Sequence, residues 1–268
     1  MESQSIPHFR RLIPLWRKMG LPLRPREPLP SALARLLPGR SAKLLMLGVT
    51  PDYGDLSDDL TALDWSTEMI AHIWPGDTQS RRAVLGDWRD MPFENESFDA
   101  AIGDNAMAML AFPDDIDATL KEVRRVLKPG GIAVFRWFLA PDSPPEDAEL
   151  KALALSLSGR ASDIMRWRFA IDAVHEAGEP TVPVTAAWRK YSRLFPDFGE
   201  LARANGWDDA EMAELDIYRD SGVRFTFPTQ AQMEAAAGRH FSSIELVPSG
   251  DYPLAEFAPF VILSQARR

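Results

Sequence analysis

The chain has no cysteine, which removes disulfides, thiolate chemistry and cysteine-based zinc or iron–sulfur centres. Its 4 histidines stand at positions 8, 72, 175 and 240. None has metal-ligand spacing to a second histidine or to a carboxylate cluster, so the sequence predicts no metal site. No run approaches the roughly 20 apolar residues that span a bilayer. The short apolar run Leu12 to Leu15 is broken by Pro14 and is too brief for a signal peptide. A soluble, cytoplasmic protein with no membrane partner is expected. Positive charge is also scarce: 30 Lys and Arg stand against 39 Asp and Glu, a net charge of −9. That balance weighs against a general nucleic-acid binder, which carries a basic face. A Gly-x-Ser-x-Gly elbow, a Gly-Lys-Ser phosphate loop and a Gly-x-Gly-x-x-Gly dinucleotide loop are all missing, so hydrolase, phosphate-loop and nicotinamide readings have no anchor.

What the sequence does hold is 46% apolar residues and 8 Trp in 268 positions, enough to fill a large core in one domain with an insertion. Short, uniformly apolar runs alternate with helical patterns. Strands are predicted at Lys43–Leu47, Leu60–Leu63, Ala83–Leu85, Phe98–Gly103 and Ile132–Leu139. Ser66 reads as the N-cap of a helix bearing Met69, Ile70 and Ile73. Residues Pro113 to Leu127 carry Ile116, Leu120, Val123 and Leu127 at helical spacing. Such alternation predicts a doubly wound, mostly parallel α/β sheet, and uniformly apolar strands agree with burial on both faces.

The pattern breaks at Pro141-Asp142-Ser143-Pro144-Pro145. From there the chain reads as helices at 146–157, 162–175, 184–195 and 198–205, with no obvious strand. Thr229 then caps a helix over 230–237, followed by closing strands near 244–247 and 259–264. The predicted organisation is an N-terminal arm (1–40), an α/β core (41–140), a helical insertion (141–225) and a completion of the sheet (226–268). Ligands of open α/β sheets sit beyond the carboxyl ends of the strands, so an insertion leaving strand five would hang over that edge as a lid.

The segment Arg81 to Leu139 carries a specific order of motifs. Leu85-Gly86-Asp87-Trp88 is followed by Met91-Pro92-Phe93, Ser97-Phe98-Asp99, and Leu127-Lys128-Pro129-Gly130-Gly131. This order resembles the class I S-adenosylmethionine (SAM)-dependent methyltransferase family. The resemblance implies a Rossmann-like sheet of seven strands, SAM as cofactor, and methyl transfer to a small-molecule acceptor. It implies that Asp64, ending strand two, accepts hydrogen bonds from the ribose hydroxyls, with Trp65 beside it. It implies that Asp87 meets the adenine amino group and that Trp88 covers the ring. Asp104, after strand four, is the candidate base or substrate anchor and also a cofactor contact, and Asn105 a substrate contact.

The first loop departs from the family pattern, which is acidic-x-Gly-x-Gly-x-Gly. Here it reads Met46-Leu47-Gly48-Val49-Thr50-Pro51-Asp52. Only Gly48 is kept; a cofactor would need a hydroxyl from Thr50 or Tyr53 and the Asp52 carboxylate for its ammonium group. Arg136 and Trp137 at the end of strand five, with Arg160, Arg166, Trp167, Arg168, Trp188, Arg189, Tyr191 and Arg193 in the insertion, are candidate contacts for an anionic or aromatic substrate, Arg166 first among the insertion's. Each residue has a plainer alternative: a helix-dipole charge for Asp64, a loop acid beside a core Trp for Asp87, a solvated turn acid for Asp104, and packing for the Trp16 region of the arm. A second functional reading, a methyltransferase-like protein that no longer methylates, is motivated by Met46, Thr50, Pro51 and Asp52.

Overall fold

The computed structural model describes residues 10, 13–157 and 162–266; His8 and Arg160 lie outside them. Seven strands form one sheet: β1 (Lys43–Leu47), β2 (Asp59–Asp64), β3 (Arg81–Leu85), β4 (Phe98–Asp104), β5 (Leu127–Arg136), β8 (Phe241–Val247) and β9 (Phe260–Ala266). Their order is β3-β2-β1-β4-β5-β9-β8. All neighbours pair in parallel except β9, which runs antiparallel to β5 and β8. The order reverses beside β1, so the crevice outside β1 and β4 is the expected ligand position.

Strand residues alternate between two cores, as the two-residue period requires. Leu45, Leu47, Leu63 and Ala101 face one side, with α3 (Asp114–Val126) and α9 (Gln230–Ala237) packed against them. Leu44, Met46, Ala62 and Ile102 face the other, with α1 (Leu29–Ala34) and residues after α2 (Thr67–His72). The α3 sequence explains its own ends: Asp114, Asp115 and Asp117 sit at the positive N-terminus, and Arg124 and Arg125 in the last turn. Thr229 and Gln232 close a capping box on α9.

Residues between β5 and α9 form α4 (Asp147–Ser156), α5 (Ser162–Ala177), α6 (Val184–Leu194), α7 (Phe198–Asn205) and α8 (Asp209–Leu215). The expectation of no strand here is corrected: β6 (Thr181–Pro183) and β7 (Arg224–Thr226) pair as a short antiparallel ribbon. Each strand has only three residues, too few to show a period in sequence. The ribbon anchors this region to the loop after β4. Phe112 N–H donates to Thr181 Oγ1 at 2.9 Å, and Thr226 Oγ1–H to the Leu110 carbonyl at 2.5 Å. Trp167 on α5 packs edge-on against Phe138 and Phe227. These contacts set α5 over the carboxyl edge of the sheet.

Candidate functional site

β1 ends at Leu47, and Gly48 turns the chain with φ +93°, a conformation glycine adopts without steric cost. Its N–H donates to the Leu63 carbonyl at 2.8 Å, which ties the turn to the end of β2. Asp64 closes β2 and is buried. The Ser66 amide donates to Asp64 Oδ1 at 2.8 Å while Ser66 Oγ caps α2 by accepting from Met69 N–H. The triplet Asp-Trp-Ser thus fixes both a carboxylate and a helix start. Burial pushes the Asp64 carboxyl up to about 7, against the opposing pull of the amides of Ser66, Val49 and Trp65.

Trp65 and Trp88 stack with centroids 5.1 Å apart and planes 13° off parallel. Trp88 is held by its indole N–H, which donates to the Leu63 carbonyl at 2.7 Å. A Cβ built on Gly48 would lie 3.9 Å from both Asp64 Oδ2 and Trp88 Cζ2. Glycine therefore leaves a face open between a carboxylate and an indole.

On the β4 side, Asp104 borders the same space, and Asn105 follows in a left-handed conformation at φ 57°. Arg136 donates to Asp104 through Nε at 2.5 Å and Nη2 at 2.9 Å, and Tyr53 O–H donates to Oδ1 at 3.3 Å. Burial, then the Asp104 charge, hold the Tyr53 phenol well above its usual range. Asp104 is thus an anchored anion with three donors on its oxygens rather than an open proton acceptor.

The roof comes from two other segments. Trp16, Met19 and Leu23 of the arm and Arg166, Trp167 and Phe225 of the region after β5 line one cavity with Gly48, Thr50, Asp64, Trp65, Trp88, Asp104 and Asn105. Its volume is about 160 Å³. Arg166 is ion-paired with Asp163 and lies 5.3 Å over the Tyr218 ring. Burial opposes its charge, and Asp163 first among its neighbours outweighs that, so its pKa is raised. Four side chains that line this cavity carry buried polar atoms with no hydrogen-bond partner: Trp16 Nε1, Asn105 Oδ1, Arg166 Nε and Trp167 Nε1. Such atoms are costly until something satisfies them.

The structure thus brings together Gly48, Thr50, Asp64, Trp65, Trp88, Asp104, Asn105 and Arg166. Four other candidates are elsewhere. Asp87 is chelated by Arg89, with Nε at 2.9 Å and Nη2 at 2.6 Å from its oxygens. Arg89 holds the Asp87 carboxyl below the usual range and also pairs with Asp115. Asp52 pairs with Arg24 of the arm at 2.8 Å. Arg136 is spent on Asp104, behind the cavity wall, and Trp137 packs into the core beside α3 and α9. Met46 is wholly buried in the opposite core, so the position of the family's first acid has become a packing position. Met19, Leu23, Tyr218 and Phe225 were not singled out from sequence. They are apolar or aromatic residues in segments with no motif, and only the tertiary fold assembles them.

Among the described residues no group of three or more His, Cys, Asp or Glu could hold a metal ion. Among the described residues no helix is long and apolar enough to cross a membrane. A nucleoside fits the donor set at its ribose end: a buried carboxylate at a strand end faces an uncrowded glycine, and a carboxylate accepts two O–H bonds from a vicinal diol. Asp64 would hold the hydroxyls, with Trp65 and Trp88 beside the flat base. Of the other expected carboxylate contacts, Asp52 is held by Arg24 and Asp87 by Arg89, which leaves Thr50 as the polar side chain of the first loop that lines the cavity.

Residues 39–135 match the family described as "Methyltransferase domain". The sterol 24-C-methyltransferase ERG6B of Gibberella zeae is 29% identical over 49% of this chain and 39% of its own length. A demethylmenaquinone methyltransferase of Corynebacterium glutamicum is 29% identical over 67% of this chain and 73% of its own. The match to the sterol enzyme thus spans about two fifths of that relative. Among solved structures, the CcbJ methyltransferase from Streptomyces caelestis superimposes with a TM-score of 0.54, at 12% identity, over 96% of each chain. The match over residues 39–135, together with the 3-2-1-4-5-9-8 strand order, shows that this chain carries a methyltransferase domain of the SAM-dependent type on a Rossmann-like sheet.

Proposed function

We propose that this chain transfers a methyl group from SAM to a small, largely apolar acceptor with an aromatic or anionic end. One observation carries the reading. The nucleoside-competent pair Gly48 and Asp64 shares a single cavity with Arg166 and Trp167 of the region after β5. SAM, when bound, supplies a methyl group already activated on a sulfonium. The protein's part is then positioning, which is worth several kcal/mol when reacting atoms are held about 3 Å apart and in line. Asp64 accepts the ribose hydroxyls. Thr50 supplies a hydroxyl at the turn after β1, and Asp104 and Asn105 form the edge between cofactor and acceptor. Trp16, Met19 and Leu23 exclude water from above. Arg166 orients the polar end of the acceptor against the indole of Trp167.

The curated relatives named above act, by their names, on a sterol and on demethylmenaquinone, which supports a small lipid-like acceptor here. The net charge of −9 supports a partner other than nucleic acid, and the reading carries a cytoplasmic location. Calorimetric titration with SAM and S-adenosylhomocysteine tests the first step. Asp64→Ala should weaken S-adenosylhomocysteine binding by about 1–3 kcal/mol, the cost of a lost buried hydrogen-bond partner.

A second reading is favoured by one feature: Asp52 and Asp87, both expected at the cofactor, are held by Arg24 and Arg89. In that reading the fold has kept its shape and lost its cofactor. No heat with either nucleoside at millimolar concentration would support it.

A further inference from the structure

We propose that the acceptor brings its own anionic nucleophile, an acidic phenol, enol or carboxylic acid, and that Arg166 is the residue that selects it. The inference rests on the methyl-transfer reading and specifies its substrate. Among the described residues that line the cavity there is no histidine and no lysine; the titratable ones are Asp64, Asp104, Arg166 and Tyr218. None is an open base in the cofactor-bound protein. Asp64 accepts the amides of Trp65, Ser66 and Val49, and in the proposed complex its remaining face holds the ribose hydroxyls. Asp104 holds two guanidinium bonds and a phenol bond. The Tyr218 hydroxyl is pushed up by burial, so it keeps its proton at neutral pH.

A neutral alcohol needs a base within hydrogen-bond reach to become a nucleophile, and the wall offers none. An alkene needs no base, but attack by its π-electrons moves the positive charge of the sulfonium onto an acceptor carbon. An acceptor seated against Arg166 would bring that charge up to the guanidinium, where like charges in an apolar setting repel. An oxyanion has the opposite sign. Arg166 is 1% exposed, gives one Nη2 bond to Asp163, and keeps a buried Nε–H without a partner. Trp167 beside it keeps its indole N–H unpaired as well. These two unsatisfied donors stand on adjacent side chains lining the cavity with Met109 and Phe225, and the indole N–H of Trp16 in the roof is a third; such a set matches a flat ring carrying one charged oxygen.

The proton of such an acceptor leaves to solvent on binding. The oxygen's electron pair can then form the bond to the methyl carbon, while the pair of the broken carbon–sulfur bond stays on sulfur. No side chain has to take a proton at that moment.

The probe is 4-nitrophenol, whose phenolate absorbs visible light, added to protein saturated with S-adenosylhomocysteine and titrated with pH. The bound phenol should ionise at least one pH unit below the free phenol. Arg166→Met should abolish that shift and weaken phenolate binding about tenfold, and Arg166→Lys should restore part of both, with S-adenosylhomocysteine affinity serving as the check on folding. Should the Met variant not fold, Arg166→Gln takes its place. Binding without a shift, a shift that survives in Arg166→Met or Arg166→Gln, or no phenol binding to protein that holds S-adenosylhomocysteine would each overturn the proposal and leave the methyltransferase reading standing. Failure of the wild type to bind S-adenosylhomocysteine would instead remove that reading, and this proposal with it.

Discussion

Asp104 and Arg136 are register partners on the parallel strands β4 and β5, and their side chains close a buried ion pair at 2.5 and 2.9 Å. The pair is a consequence of strand register: each residue is the last of its strand, and both side chains turn to one side of the sheet edge. Tyr252 O–H lies 3.3 Å from Arg136 Nη1 and bonds Ser249 in turn, so the guanidinium is held from behind as well.

Breaking such a pair from one side strands the other charge in the protein interior. Arg136→Met should therefore cost about 3–5 kcal/mol of folding stability, read as a fall in the urea midpoint. Replacing both partners, in Asp104→Leu with Arg136→Met, should cost less than Arg136→Met alone, because no bare charge remains. A single variant within about 1 kcal/mol of the wild type would show that the pair is not buried in solution.

Asp64 sets a pH dependence of definite sign. Burial lifts its folded pKa to about 7, above the ordinary carboxylate value of 3.8. Between those values the folded state binds the extra proton, so stability falls as pH rises, by up to about 1.4 kcal/mol per pH unit. The stabilising contribution is complete below the unfolded pKa and gone once pH passes about 7. Urea midpoints at pH 5 and pH 7.5 should therefore differ more in the wild type than in Asp64→Asn. A ribose diol needs the ionised carboxylate, so S-adenosylhomocysteine should bind with proton release near neutrality, measurable as a dependence of binding heat on buffer ionisation enthalpy. Equal pH profiles for the two proteins would place the carboxylate in solvent.

Gly48 is the one remnant of the family's glycine loop, and its conformation explains why it is kept. At φ +93° an L side chain is strained whatever the space around it, so Gly48→Ala should cost about 1–2 kcal/mol of stability through the backbone alone. The added methyl would also stand between Asp64 and Trp88. Nucleoside binding should thus weaken by more than the stability loss predicts, and a calorimetric affinity equal to that of the wild type would show that the cofactor does not approach this face.

Much of the sheet was legible because its strands are apolar on both faces and its helices carry their own end signals. Ser66, Thr229 and the Asp114–Asp117 cluster mark helix starts by local chemistry that tertiary structure does not override. The site was legible only where a residue's role follows from the end of a strand, as for Gly48, Asp64 and Asp104. It was illegible where the outcome depended on a partner distant in sequence. Nothing in the run Gly86-Asp87-Trp88-Arg89 says that Arg89 will fold back on Asp87 and reach Asp115. Strand period alone could have shown that Arg136 and Trp137 point to different places, one to Asp104 and the other into the core. The cavity roof, with Met19, Tyr218 and Phe225, comes from segments far from the motif and had no signal to find.

The same dependence on a distant partner separates two accounts of Asp52. From the loop alone, its carboxylate is expected at the ammonium group of the cofactor. In the fold it meets Arg24, which also lies 5.7 Å over the Trp16 ring, so the pair pins the arm that roofs the cavity. A partly buried latch of this kind is worth about 1 kcal/mol at most, whereas a charge-assisted bond to a bound ammonium is worth about 1.5–3 kcal/mol. Asp52→Ala should therefore lower S-adenosylhomocysteine affinity less than about fivefold. It should speed limited proteolysis between Trp16 and Arg24, as should Arg24→Ala. A loss of tenfold or more in Asp52→Ala, with Arg24→Ala near the wild type, would return Asp52 to the cofactor and make the arm a bystander.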